Sequence, residues 1–150
     1  MKVKYYDLEN KRVFVTGGGS GIGASIVEHF CEQGSEVYFI DINVSESEKL
    51  IEEIKNKKYS IPTFIECDLL NIKQLQKIIA DIIDQKGPIN ILINNAANDT
   101  RHKIDDVTEE YWNERINVNL RHFFFTVQSV KKSMIDNGGG AIINMGSTSW

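Results

Sequence analysis

The chain has 150 residues, of which 41% are hydrophobic and 25% charged, with two prolines and a formal net charge of −4. This composition is typical of one folded domain with a core of its own, and it excludes a disordered chain. The basic residues are scattered and no segment approaches the ~18 apolar residues of a membrane span, so we expect no nucleic-acid partner and no membrane contact.

The remaining compositional signals favour a small-molecule partner and a cytoplasmic location. The first residues, MKVKYYDLENKR, contain no apolar core of a signal peptide. Cys31 and Cys67 have neither zinc-site nor CxxC spacing, so both are predicted to be small core residues. The three histidines lack the spacing of metal ligands, and we predict no metal site.

The first predicted strand, Val13 to Val15, leads into a glycine-rich loop, TGGGSGIG, at residues 16–23. Glycines there allow a sharp turn and a close approach to a pyrophosphate, and the free N–H groups at the start of the following helix favour an anion. The pattern therefore predicts a phosphate-binding loop. Its predicted ligand contacts are Gly17, Ser20, Gly21, Ile22 and Gly23.

Three related loops fit this sequence less well. A P-loop requires lysine where Ala24 stands, and a hydrolase elbow requires glycine two residues after Ser20 or Ser147. The strict GxGxxG fingerprint is not met either, since the glycines follow TGxxxGxG. An ordinary glycine turn remains an alternative for the loop taken alone.

The rest of the chain alternates between predicted helices and strands. Short apolar runs predict four more strands, at 37–41, 63–68, 91–94 and 138–147. Apolar residues at helical spacing predict four helices. Their stripes are Ile22, Ile26, Val27, Phe30 and Cys31; Leu50, Ile51 and Ile54 within 45–58; Ile72, Leu75, Ile79, Ile82 and Ile83; and Trp112, Ile116, Leu120, Phe123, Val127, Val130 and Met134. A polar loop, 98–106, precedes the last helix.

Alternation of this kind predicts an α/β fold of the Rossmann type, a doubly wound parallel sheet in a single domain covering residues 1–150. Continuous apolar strands require helices on both faces, joined by right-handed crossovers. The expected strand order is 3-2-1-4-5, which places ligands at the carboxyl ends of strands 1 and 4. All the candidate site residues lie at or near such ends.

The cofactor predicted by these residues is NAD, with NADP disfavoured. Asp41 ends the second strand, 24 residues after Gly17, where a carboxylate accepts hydrogen bonds from ribose hydroxyls and repels a 2′-phosphate. Ile42 beside it is a further predicted cofactor contact. The alternative is that Asp41 only caps a helix or a turn. Asp68, at the end of the third strand, could likewise cap the next helix or receive the adenine amino group.

The motifs occur in an order and spacing that resemble the classical short-chain dehydrogenase/reductase (SDR) family. They are TGGGSGIG, the aspartate after strand 2, CDL (67–69), NNAA (94–97), VNL (118–120) and INMGS (143–147), and they cover nearly the whole chain. The resemblance implies that Asp68 and Leu69 contact adenine and that Asn95, Ala96 and Ala97 line the cofactor. Ala97 departs from the family, which usually has glycine at that position.

The same resemblance implies that Asn119 and Ser147 belong to a catalytic tetrad. Asn119 would hold a water in a proton relay and Ser147 would hydrogen-bond the reacting oxygen, with Ser149 a weaker candidate for a substrate contact. Without the resemblance, Asn119 could face solvent and Ser147 could merely end a strand. The family's Tyr-x-x-x-Lys pair does not occur in these residues and is expected shortly beyond Trp150, so we expect the N-terminal portion of a longer dehydrogenase that lacks catalytic competence as written. Family members commonly form homotetramers through the long helix.

The substrate expectation rests on three segments similar to bacterial D-xylose and other aldose 1-dehydrogenases, which oxidise C1 of an aldose to a lactone. They are NNAANDTRH, EYWNERINVNLRH and GGGAIINMGSTSW. The polar loop at 98–106 would bind a polyol, although Thr100 stands where that branch suggests aspartate; the alternative is a solvated loop. A 3-oxoacyl or steroid reductase, and a non-catalytic NAD-binding module, remain alternative functions.

Overall fold

Strands and helices alternate along the chain, of which the computed structural model describes residues 3–147. The strands are Arg12–Thr16 (β1), Glu36–Asp41 (β2), Thr63–Glu66 (β3), Ile91–Asn94 (β4) and Ala141–Asn144 (β5). The helices are Gly21–Glu32 (α1), Val44–Asn56 (α2), Ile72–Lys86 (α3), Glu109–Ile116 (α4) and His122–Asp136 (α5). A π turn, Asn117–Arg121, joins α4 to α5, and the residues on either side of it keep helical dihedral angles.

The five strands form one parallel sheet in the order β3-β2-β1-β4-β5. The central strand β1 pairs with a neighbour on each side, so that Val13 lies opposite both Val37 and Ile91. The predicted fold class and strand order are therefore confirmed. Because all strands run in one direction, the loops that follow β1, β2 and β4 meet at a single edge of the sheet.

Successive side chains of β1 enter two different cores, one on each face of the sheet. Val13 and Val15 pack with Val27 and Cys31 of α1 and with residues of α2, whereas Phe14 packs with residues of α3 and α5. All three β1 side chains are completely buried. Burial of each stabilises the fold by roughly 1.5–3 kcal/mol, so β1 fixes the position of the loop that follows it.

Side-chain caps determine where three of the helices begin. Asn43 accepts a hydrogen bond from the Glu46 amide, Asn71 from the Gln74 amide and Thr108 from the Tyr111 amide. Each cap is worth about 1 kcal/mol. The sequence left open whether Asp68 caps the helix that follows it. The structure shows that Asn71 caps this helix, α3, and that Asp68 does not.

Several predicted boundaries and buried faces are wrong. Helix α2 spans 44–56 rather than about 45–58, β3 ends at Glu66 rather than at 68, and β5 covers only 141–144 rather than 138–147. The predicted stripe of the long helix is also misplaced at its first half: Trp112, Ile116 and Leu120 are 61%, 40% and 57% exposed. The buried face of α5 is instead His122, Thr126, Val130 and Met134.

The two cysteines are buried and unpaired, as predicted for core residues. Burial raises the pKa of Cys31 to about 12 and that of Cys67 to about 11. Within residues 3–147, no group of three or more metal-binding side chains comes together, and no helix is long and apolar enough to cross a bilayer.

Candidate active site

The glycine-rich loop between β1 and α1 is held against β2 by its backbone. Gly17 and Gly18 donate their N–H groups to the Ile40 carbonyl at 2.8 and 3.1 Å, and Gly17 has a φ of +66°, in the region that favours glycine. The side chain of Ser20 makes no capping hydrogen bond to α1. The first-turn amides of that helix are therefore available to an anionic ligand, and Ser20, Gly21 and Ile22 around them are exposed.

The loop also lies in close contact with the segment that follows β4. A Cβ on Gly23 would lie 1.9 Å from the Gly17 carbonyl oxygen, and a Cβ on Gly17 would lie 2.7 Å from the Cα of Ala96. The Asn95 side-chain amide donates to the Gly17 carbonyl oxygen at 2.9 Å. Glycine is thus required at position 17 by the approach of the two segments, and at position 23 by the close contact within the loop itself.

Asp41 lies at the end of β2 beside this loop. One carboxylate oxygen accepts a hydrogen bond from the Gly19 amide at 2.8 Å and the other accepts one from the Asn43 amide at 2.9 Å. Asp41 therefore stabilises the turns at Gly19 and Asn43, which agrees with the alternative that it is a turn-forming aspartate. Its side chain is only half-buried and the neighbouring Ile42 is 70% exposed, so both remain accessible to a ligand in the loop.

The segment after β3 presents its backbone and one carboxylate. Asp68 is exposed and its side chain accepts a hydrogen bond from the Leu70 amide at 2.9 Å. The Leu69 side chain is buried in the core, so Leu69 can contact a ligand chiefly through its main chain. The predicted adenine contacts of both residues stay predictions.

The end of β4 is organised by the hydroxyl of Thr16. Its oxygen accepts hydrogen bonds from the Asn95 and Ala96 amides at 3.0 and 3.1 Å. Ala97, next in the chain, is exposed, so the methyl group that departs from the family's glycine meets open solvent. The predicted cofactor residues after β1 and β4 thus form one continuous surface.

The π turn carries the predicted catalytic asparagine and contacts two separate segments, one after β4 and one after β3. The Asn119 side chain accepts from the Asn98 amide at 2.7 Å and donates to the Asn98 carbonyl at 3.1 Å. Arg121 donates to the Leu70 carbonyl at 2.9 Å, which ties the π turn to the segment after β3. Asn119 is thus placed at the site by its hold on the loop that follows β4.

Sequence reasoning missed His122, the next residue after the π turn. Its side chain is completely buried; Nδ1 lies 2.7 Å from the Val118 carbonyl oxygen and Nε2 lies 3.4 Å from the Thr16 hydroxyl oxygen. Burial lowers the pKa of His122 to about 4, despite the hydrogen bond to the Val118 carbonyl. One feature of the sequence could have identified it: His122, Thr126, Val130 and Met134 follow one another at intervals of four residues, and they form the buried face of α5.

Ser147, the predicted catalytic serine, lies three residues past the end of β5 and is exposed. The Met145 amide donates to the Asn94 carbonyl at 2.9 Å, so the chain leaving β5 stays beside the end of β4.

The predicted substrate loop is tied to α4 by Tyr111. The Tyr111 hydroxyl donates a hydrogen bond to the Thr100 carbonyl, and its oxygen lies 2.9 Å from Nδ1 of His102. Ser149, the weaker candidate, lies outside the described residues.

Comparison with known proteins gives consistent matches. A family model for short chain dehydrogenase matches residues 11–149. The D-xylose 1-dehydrogenase of Caulobacter vibrioides is 48% identical over 97% of this chain and 57% of its own length, and a probable galactose dehydrogenase of Rhizobium meliloti is 42% identical over 96% and 56%. A solved putative short-chain dehydrogenase/reductase from Burkholderia xenovorans superposes with a TM-score of 0.89 at 28% identity, over 97% of this chain and 59% of that one. The chain spans less than two thirds of each of these relatives.

Proposed function

Because this chain belongs to the short-chain dehydrogenase family, we propose that the intact protein is an NAD-dependent sugar dehydrogenase that oxidises C1 of an aldose. The observation that carries the proposal is the convergence of the glycine-rich loop, Asp41 and Asn119 on one edge of the sheet. The sequence relatives whose names specify a sugar support the choice of substrate class.

The residues at this edge fit a dinucleotide. The first-turn amides of α1 are free of a side-chain cap and suit a pyrophosphate, and the space beside Gly21, where an added Cβ would meet no atom within 4 Å, is open to it. The half-buried Asp41 carboxylate suits ribose hydroxyls. NAD, when bound, accepts the hydride.

The chain's own residues would bind, orient and handle protons around that cofactor. Ser147 has a hydroxyl that can hydrogen-bond the reacting oxygen of the sugar, and Asn119 holds the loop at Asn98 against the π turn. The family resemblance implies a tyrosine and a lysine for the proton step, which we propose the intact protein supplies outside these 150 residues. The polar loop at 98–106 offers hydrogen-bonding groups for sugar hydroxyls.

The test follows absorbance at 340 nm with the intact protein in both directions: NADH formation from NAD with a panel of pentoses and hexoses, and NADH or NADPH consumption with a 3-oxoacyl thioester and a ketosteroid. We expect turnover with an aldose and NAD. Ser147→Ala should lose most of this turnover and still bind NAD, because the serine acts on the substrate. Turnover restricted to the thioester or the steroid would replace the proposal with a reductase, and NAD binding without any turnover would indicate a binding module.

Substitution of Asp41 tests the choice of NAD over NADP. Asp41→Ala removes the ribose acceptor and the charge, so the Kd for NAD should rise by about tenfold while the Kd for NADP stays level or falls. Titration calorimetry with both dinucleotides measures this. Asp41→Asn is the matched control, since it keeps an acceptor for the Gly19 amide. Equal weakening of both cofactors in Asp41→Ala would contradict the ribose assignment.

A homo-oligomer, expected as a tetramer, fits the apolar surface of the long helix. Trp112, Ile116, Leu120 and Phe124 are spaced by four residues and are 40–65% exposed, a stripe that a second copy of the chain would cover. Phe124→Ser should therefore reduce the mass of the intact protein in light scattering after size exclusion. Ile61→Ser, at a 60% exposed position away from this helix, is the control and should leave the mass unchanged. A monomeric wild type would contradict the proposal.

A further inference from the structure

The hydroxyl of Thr16 lies at the centre of a buried chain of hydrogen bonds. Its oxygen already accepts from the two amides that follow β4, those of Asn95 and Ala96. An oxygen that accepts twice uses both lone pairs, so its proton must be donated elsewhere. Nε2 of His122 lies at 3.4 Å from that oxygen, and both side chains are completely buried.

The tautomer of His122 follows from its second contact. Nδ1 lies 2.7 Å from the Val118 carbonyl oxygen, which can only accept a hydrogen bond. Nδ1 therefore carries the proton and Nε2 carries the lone pair. A neutral imidazole in this tautomer accepts a hydrogen bond from the Thr16 hydroxyl. Every polar atom in this series of hydrogen bonds, from the Val118 carbonyl to the Ala96 amide, then has a partner. The low pKa of His122 keeps the ring neutral at physiological pH.

We propose that His122 is a positioning residue for the cofactor, acting through the Thr16 hydroxyl to hold the segment after β4 against the glycine-rich loop. Because His122 accepts the hydrogen bond that the Thr16 hydroxyl donates, both lone pairs of the Thr16 oxygen can accept hydrogen bonds from the Asn95 and Ala96 amides. Asn95, fixed in this way, in turn donates its side-chain amide to the Gly17 carbonyl at 2.9 Å. The inference rests on the proposed NAD-dependent function and deepens it.

Two substitutions separate this function from simple packing. His122→Asn keeps a donor near Nδ1 for the Val118 carbonyl but offers Thr16 no acceptor. His122→Gln places an amide oxygen near Nε2 for Thr16 but loses the donor to Val118. In the intact protein we expect a Kd for NAD that is about tenfold higher in His122→Asn and close to wild type in His122→Gln.

A double-mutant cycle tests whether the effect passes through Thr16. Thr16→Val removes the hydroxyl at nearly constant shape. If His122 acts through that hydroxyl, the variant with both His122→Asn and Thr16→Val should bind NAD no more weakly than the worse single variant. Full additivity of the two losses would overturn the inference.

A spectroscopic measurement on the wild type keeps the inference falsifiable if a variant fails to fold. Nitrogen chemical shifts of the histidine rings at pH 7 should identify His122 as neutral with the proton on Nδ1. A proton on Nε2, or equal Kd values for NAD in the Asn and Gln variants, would overturn the positioning function while leaving NAD binding intact. A wild type that binds neither NAD nor NADP would instead refute the proposed function, and the inference with it.

Discussion

A methyl group at Gly23 will weaken NAD binding by the intact protein by about a hundredfold and lower its melting temperature. Gly23 lies on the first turn of α1, where an added Cβ would lie 1.9 Å from the Gly17 carbonyl oxygen and 2.6 Å from the Asn95 side-chain nitrogen. The first neighbour is backbone, so the loop itself must move. Overpacking of this kind costs roughly 1–3 kcal/mol, and here it falls on the groups proposed to hold the pyrophosphate.

Gly21→Ala is the matched control for Gly23→Ala. Gly21 lies two residues earlier in the same loop, has a φ of +55°, and an added Cβ there meets no atom within 4 Å. Its expected cost to folding is limited to backbone strain of about 1 kcal/mol. Thermal unfolding of both variants measures the difference in stability, and the NAD titration is made on Gly23→Ala alone because Gly21 is itself a predicted cofactor contact. Similar losses in the two variants would mean that backbone conformation, and not the close contact with Gly17, governs the loop.

The free energy of unfolding of the intact protein should fall by about 3 kcal/mol between pH 6.5 and pH 4 because of His122 alone. The pKa of this side chain is about 4 in the folded protein, against an ordinary value of 6.5, because burial disfavours the cation. Between these two pH values the unfolded chain binds the proton and the folded chain does not. The stabilisation is thus complete above pH 6.5 and is lost as the pH falls towards 4.

The measurement is urea unfolding of wild type and His122→Gln at pH 7 and at pH 4.5. Aspartate and glutamate side chains titrate in part of this range in both proteins, so their contribution largely cancels in the difference. The stability of His122→Gln should depend less on pH than that of wild type. Parallel pH profiles for the two proteins would show that His122 does not stay neutral inside the fold.

The sheet and the location of the site were predictable from the sequence for a simple physical reason. Runs such as Val13, Phe14 and Val15 are short, apolar and rich in β-branched residues, which is typical of a strand covered on both faces. Once parallel strands are accepted, the loops after β1, β2 and β4 must share an edge. The prediction that residues 17–23, Asp41 and Asn95 lie close together follows from topology alone.

The long helix could not be predicted correctly because its periodicity changes inside it. The π turn at Asn117–Arg121 adds residues to one turn, so a stripe drawn at 3.6 residues per turn through Trp112 and Leu120 loses its phase before α5. The predicted stripe therefore included residues that are exposed in the structure and left out His122, which is buried. A buried histidine bound to a threonine 106 residues earlier depends on tertiary packing, which no local pattern encodes.

The burial of both cysteines makes this part of the molecule convenient for site-specific labelling. Cys31 and Cys67 are each 1% exposed and almost entirely protonated at neutral pH, so maleimide reagents should leave them unmodified in the folded state. A cysteine introduced at the exposed position of Ile42 would then react selectively among the described residues. A fluorophore attached there would stand beside Asp41 and report the arrival of a dinucleotide at the ribose end of the loop.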